Sequence, residues 1–226
     1  MGFPTLRAAF LGAATVLAVV WCLLAAGCTG PDMAQLEIVP QATPFYWYED
    51  TTRIYLRTDS SRLTVEAEST TLPALSASLS TLGVTVDTAT AMGIAAGHWV
   101  LSLHPGTSPT AAVAAARALR LRSDVRFASN AYLSAQQPAS CTKLLVNRFA
   151  VQYKASVATE RIVAFQERAG FGVERSPSGA WSPYWVLRYP VGSPYTPLEI
   201  VAAVYHHPYV EWADADRTDC IGPSGR

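Results

Sequence analysis

Cysteine is scarce in this chain, with four in 226 residues, and no His or Cys spacing of the kind that holds a structural zinc accompanies them. Neither HExxH nor HxxxH occurs among the four histidines, which excludes the familiar helical zinc motifs, and the composition calls for no metal or other cofactor. The glycine-rich stretch "GIAAG" at 93–97 lacks both the spacing and the lysine of a phosphate-binding loop. Charge of one sign is also missing: 17 basic residues balance 17 acidic ones. The densest basic run, "ARALRLRSDVR", is broken by apolar residues at helical spacing, so a nucleic-acid face is not expected. What remains is a globular composition, 50% hydrophobic and free of low-complexity tracts, with room for one or two domains.

The first 27 residues stand apart. Arg7 is the only charge before an apolar run from Ala8 to Gly27, and "LLAAGC" closes it at Cys28. This reads as an export signal. It resembles a bacterial lipoprotein signal, which implies lipidation of Cys28 and a membrane attachment through that lipid. Leu24 lies four places before the cysteine and Ala25 holds the place where leucine is more usual. An uncleaved apolar anchor or simple secretion are the alternatives. Each puts the folded part outside the cytoplasm, in the cell envelope. Residues 28–44, Pro-containing and without a clear period, read as a tether.

A duplication follows. "HWVLSL" at 98–103 returns as "YWVLRY" at 184–189, and Arg62 and Arg148, Val65 and Val151, Trp99 and Trp185 share a separation of 86. Toward the end the separation becomes 85, pairing Val125, Phe127 and Ala128 with Val210, Trp212 and Ala213. A long period seen twice indicates a doubled domain and not a solenoid. "FYWYEDTTRIYLRTD" precedes the first copy as a hairpin signal.

Each copy has the same order of elements. In the second, "RFAVQY" alternates like a strand and "SVATERIVAFQERAG" is a helix with Ser156 or Thr159 as its cap. "FGVER" and "YWVLRY" are strands, "TPLEIVAAVYHH" is a helix capped by Thr196 with Pro197 at its first position, and "YVEWA" closes the copy. Strand, helix, strand, strand, helix, strand is the split βαβ order. The fold class expected is therefore α+β: two tandem ferredoxin-like domains, at 45–135 and 141–220. Each would be a four-stranded antiparallel sheet with two helices on one face and the other face bare.

Cys141 and Cys220 remain after the signal region, and an oxidising compartment favours one disulfide over two free thiols. In the expected topology the first and last strands of the second copy are antiparallel neighbours. Cys141, seven residues before Arg148, and Cys220, seven after Ala213, then fall together.

"LLVNRFAVQYKASVATERIVAFQERAGFGVERS", "YWVLRY" and "TPLEIVAAVYHHPYVEWADAD" resemble the N-terminal propeptide-like domains of subtilisin-family serine proteases. Phe149, Val151, Tyr153 and Lys154 match the first strand of that pattern. Trp185 and Leu187 match the third, and Pro208, Val210, Glu211, Trp212 and Ala213 the last. The likeness covers roughly 45–219 and is strongest over 146–216. No segment resembles the catalytic Asp, His and Ser motifs of those proteases, so the chain is expected not to be an enzyme.

The resemblance implies a protein that binds a subtilisin-like serine protease as inhibitor or folding chaperone. The bare sheet face would pack on the enzyme and the segment after the last strand would lie in its cleft. That segment is Asp214, Ala215, Asp216 and Arg217, with Tyr184 as an exposed aromatic beside an inward Trp185. A structural or adhesion-type surface module without protease contact is the alternative. His98, His104, His206 and His207 read as structural. Glu160, Glu167 and Glu174 with Arg161, Arg168 and Arg175 read as a solvated helix face of weak ion pairs.

Overall fold

The computed structural model describes residues 36–38, 40, 45–49, 52–93, 96–134, 142–178 and 182–218. The signal and tether, Cys28, Cys141 and Cys220 lie outside the described residues.

The first half runs β1 (Phe45–Glu49), β2 (Thr52–Ala67), a short 3-10 turn (Ser69–Thr71), α1 (Leu72–Ser80), β3 (Val86–Ala91), β4 (His98–Leu103), α2 (Pro109–Arg120) and β5 (Val125–Ser134). The second runs β6 (Thr142–Tyr153), α3 (Thr159–Arg168), β7 (Gly172–Arg175), β8 (Trp185–Arg188), α4 (Pro197–Tyr205) and β9 (Val210–Arg217). Local chemistry accounts for most boundaries. Ser108 and Thr196 cap α2 and α4 with their side chains, each followed by proline, and Thr196 with Glu199 forms a reciprocal capping box. Helix α3 differs from expectation. Its cap position is Ala158, without a side-chain bond, so neither Ser156 nor Thr159 caps it.

The expected pair of separate four-stranded sheets is not what forms. All nine strands join in one curled antiparallel sheet, in the order β3-β4-β2-β5-β6-β8-β7, with β1 added to β2 and β9 to β6. The join is made by the end of β5, where Ala131, Tyr132 and Leu133 pair with Leu144, Lys143 and Thr142 of β6. Strands β2 and β5 run on past the part that the split βαβ order requires, and their extra length is what bridges the halves. β1 comes against β9, and α4 lies against both, so the curled sheet has the form of a half-barrel.

Strand β2 serves two cores. Its register on β5 shifts between Asp59 and Leu63. Beyond that irregularity Leu63, Val65 and Ala67 pack under α1 and α2 with Leu75, Leu79, Ala112, Ala115 and Leu119. Before it, Ile54 and Leu56 enter a different core built chiefly by the second half. A bulge lets one strand turn its apolar residues to a new neighbour. The larger core also takes Phe127 and Tyr132 from β5, and Phe127 stacks on Tyr189 at 5.6 Å between centroids. Residues 35–226 form one compact unit.

That shared packing also corrects the expectation of two bare faces. Glu66, next to the inward Val65 on β2, points away from the helices of its own half and meets Asn147 and Arg188 of the other. The first half's second face is partly occupied from within.

Because Phe127 is buried in a core dominated by the other half, Phe127→Ala should destabilise the whole sheet by about 3–5 kcal/mol. Thermal unfolding should stay a single transition shifted to lower temperature; two separable transitions would show that the halves melt independently.

Candidate functional site

On the second half the sheet face opposite the helices is open and forms a groove with a cavity of about 660 Å³. Alternation along the strands fixes what lines it. Phe149, Val151 and Ala213 point into the core, so Arg148, Ala150, Trp212 and Asp214 point the other way. The ladder sets Ala150 between Val186 of β8 and Asp214 of β9. Tyr184 meets Trp212 edge to face, with centroids 6.3 Å apart, and the Arg175 guanidinium lies 5.3 Å from the Tyr184 ring centroid. Trp185 packs on the core, leaving its neighbour Tyr184 on the open side, as the strand parity implies.

The four residues read as a cleft-binding segment are held in β9. Asp214 pairs with Ala150, Ala215 with Phe149 and Arg217 with Leu145. Ala215 is buried, while Asp214, Asp216 and Arg217 line the groove. Arg217 Nη1 donates to Asp214 Oδ2 at 2.6 Å, and Arg148 Nε donates to Asp216. These residues shape a wall of the groove and do not form a loose tail. Their antiparallel neighbour relation with β6 is the one that the proposed disulfide needed, though the cysteines themselves lie outside the described residues.

The groove is connected electrically to the seam between the halves. Arg148 Nη1 reaches Glu174 Oε1 at 3.3 Å, and Arg188 Nε donates to Glu174 Oε2 at 3.0 Å. The other end of Arg188, Nη1, stands 3.5 Å from Glu66 Oε1. Arg126 Nη1 approaches the same oxygen at 3.7 Å, and Arg126 Nη2 lies 3.6 Å from Glu68. Opposite charges thus alternate from Glu68 through Glu66 and Glu174 to Asp216. The expected helix-face array therefore loses Glu174 and Arg175, which sit on β7, and Glu174 pairs with two arginines from other strands.

Glu66 is the buried member, its side chain 5% exposed. Asn147 Nδ2 donates to its Oε2 at 2.6 Å. His98, buried beside it on β4, has Nε2 3.6 Å from Glu66 Oε2 and accepts a hydrogen bond there from the Asn147 backbone N–H at 3.4 Å. Burial holds the His98 pKa below its ordinary value of 6.5; Glu66 pulls the other way, while Arg188 and Arg148 add to the depression. A neutral Nε2 suits the geometry, since a protonated one would present a second donor to the Asn147 N–H.

Sequence reasoning passed over Glu66, Asn147 and Arg188. The only signal was a carboxylate inside an otherwise half-apolar strand, "RLTVEAE", which carries no information about a partner 81 residues away. Among the described residues no group of three His, Cys, Asp or Glu is placed to hold a metal, and no helix is long and apolar enough to cross a membrane. No protein-family model matches the chain, and a search among curated proteins finds no relative.

The depressed His98 pKa fixes the direction of a pH effect. The unfolded chain binds more protons than the folded one below pH 6.5, so this group's contribution is complete above that value and lost as pH falls toward the folded pKa. Urea midpoints should therefore drop as pH is lowered from 7 to about 5. His98→Gln should flatten that slope; an unchanged slope would mean that other groups set it.

Proposed function

We propose that this is a non-enzymatic protein of the cell envelope that binds a subtilisin-like serine protease through the open groove of its second half, as inhibitor or folding chaperone. The observation that carries this reading is the Tyr184–Trp212 pair set in a groove walled by Asp214, Asp216, Arg148 and Arg175. Half-buried aromatics rimmed by charged groups are the make-up of protein-binding hot spots. The resemblance of "RFAVQY" and "YVEWA" to propeptide strands supplies the class of partner, because those domains use the same sheet face toward their enzymes.

Several features support a binding role over catalysis. The ionisable groups in the groove are tied to one another, Arg217 to Asp214 and Arg148 to Asp216 and Glu174, and among the described residues no nucleophile stands beside a base there. Engagement is through the sheet face and the β9 wall. A cleft-entering tail would have to begin beyond Thr218, since the ladder with β6 extends to the Thr218 N–H, which donates to Leu144 O at 2.9 Å. Export and the lipid attachment at Cys28 are part of the same proposal; they place the binding face where secreted proteases act.

The test is a titration of detergent-solubilised full-length protein against purified subtilisins, following hydrolysis of a small chromogenic substrate. Slowed hydrolysis at micromolar protein is expected, with Trp212→Ala or Tyr184→Ala weakening the effect by roughly thirtyfold, the cost of a typical hot-spot truncation. A chaperone role is read in the same mixture from the yield of denatured subtilisin refolded with and without the protein. Neither inhibition nor improved refolding across several enzymes would remove the protease and leave a structural or adhesion-type surface role.

A further inference from the structure

The duplication gives the first half a counterpart of the groove, and the two have diverged in a way that specifies a ligand. The counterpart is a cavity of about 440 Å³ on the open part of the first half's sheet. Its floor is two cross-strand rows. Arg62 of β2, Ser102 of β4 and Thr88 of β3 stand side by side in one; Val100 and Thr90 form the other. Met92 and Leu144 close the apolar side, and the Thr218 hydroxyl stands at the edge.

In the second half the corresponding arginine, Arg148, is neutralised by Glu174 and Asp216. In the first half both carboxylates are gone. Strand β3 offers Thr88 and Thr90 where β7 brings Glu174 alongside, and Ala131 follows Ser129 on β5 as Asp216 follows Asp214 on β9. Arg188, the second cation of that row, is Ser102 here. Among the described residues the Arg62 side chain makes no hydrogen bond and no ion pair, although the residue is partly buried. A partly buried arginine without a counter-charge, in a cavity lined by hydroxyl residues and an apolar wall, is an incomplete ion pair.

We propose that this cavity binds a small organic monocarboxylate. The carboxylate takes the place that Glu174 and Asp216 hold in the other half, accepting two N–H bonds from Arg62 and hydroxyl bonds from Thr88 and Ser102. The apolar body of the ligand lies on Val100, Met92 and Leu144. One guanidinium matches one negative charge, so a dianion such as phosphate is left under-compensated, and the apolar wall gives an inorganic ion nothing to contact. The site is separate from the protein-binding groove, and its test is independent of that reading.

Benzoate is a suitable probe, with benzamide as its neutral isostere, against full-length protein in lipid nanodiscs followed by calorimetry. Empty nanodiscs correct for partition into lipid. Saturable benzoate binding in the millimolar range is expected, weakened at least about tenfold by Arg62→Gln and partly kept by Arg62→Lys. Thr90→Trp, on an exposed edge strand, should abolish binding by filling the cavity while far-UV circular dichroism stays that of the wild type. Equal binding of benzoate and benzamide, unchanged affinity in Arg62→Gln, or displacement of benzoate by equimolar inorganic phosphate would each overturn the assignment. So would the absence of saturable binding up to about 10 mM.

Discussion

A carboxylate taken out of water at the junction of the two halves is the constraint on which the architecture turns. Glu66 is 5% exposed, and an isolated charge at that depth is unstable by several kcal/mol. It is tolerated because Asn147 and Arg188 come from the second half to meet it while Arg126 and His98 meet it from the first. The same contacts that satisfy Glu66 fix how one half sits on the other. Separating the halves would take Asn147 and Arg188 away from the carboxylate and leave the Asn147 amide without its acceptor. Phe127 on Tyr189 adds the apolar part of the same junction.

From that point the charge order propagates outward. Arg188 is shared between Glu66 and Glu174, Glu174 between Arg188 and Arg148, and Arg148 between Glu174 and Asp216. Individually such partly exposed pairs contribute little. Anchored at a buried end, they tie the side chains that wall the groove to a contact made far from it. Glu66 is thereby joined to Arg148 through two intervening side chains, Arg188 and Glu174.

The two halves illustrate how duplication frees one copy to change. Strand order in each follows the same plan, and Arg62 and Arg148 occupy matching places on β2 and β6. In the second copy the arginine is locked into an ion-pair chain beside an aromatic pair. In the first its partners have become threonine and alanine, which leaves a cation facing hydroxyls. Matching places on the two halves thus carry two different surfaces, a groove walled by paired charges and a cavity with an unpaired arginine, on the same strand order.

The order of elements was legible in the residues themselves: the alternation of "RFAVQY" and the cap at Thr196 each act within a few positions along the chain, and the repeat at 86 shows the same order twice. So was the outward placement of Tyr184, because strand parity is a local property. The sequence did not reveal that the halves would merge, since the merger depends on β5 and β6 pairing over only three residues, Ala131–Leu133 with Thr142–Leu144, in register with a bulge in β2. It also hid the partners of Glu174, which reads as part of a solvated charge array and which lies between Arg148 and Arg188. Local chemistry fixes which segments are helix or strand because hydrogen bonds and caps act between near neighbours. Which faces are buried, which charges meet and which arginine is left unpaired depend on residues dozens of positions apart, and only the folded chain brings those together.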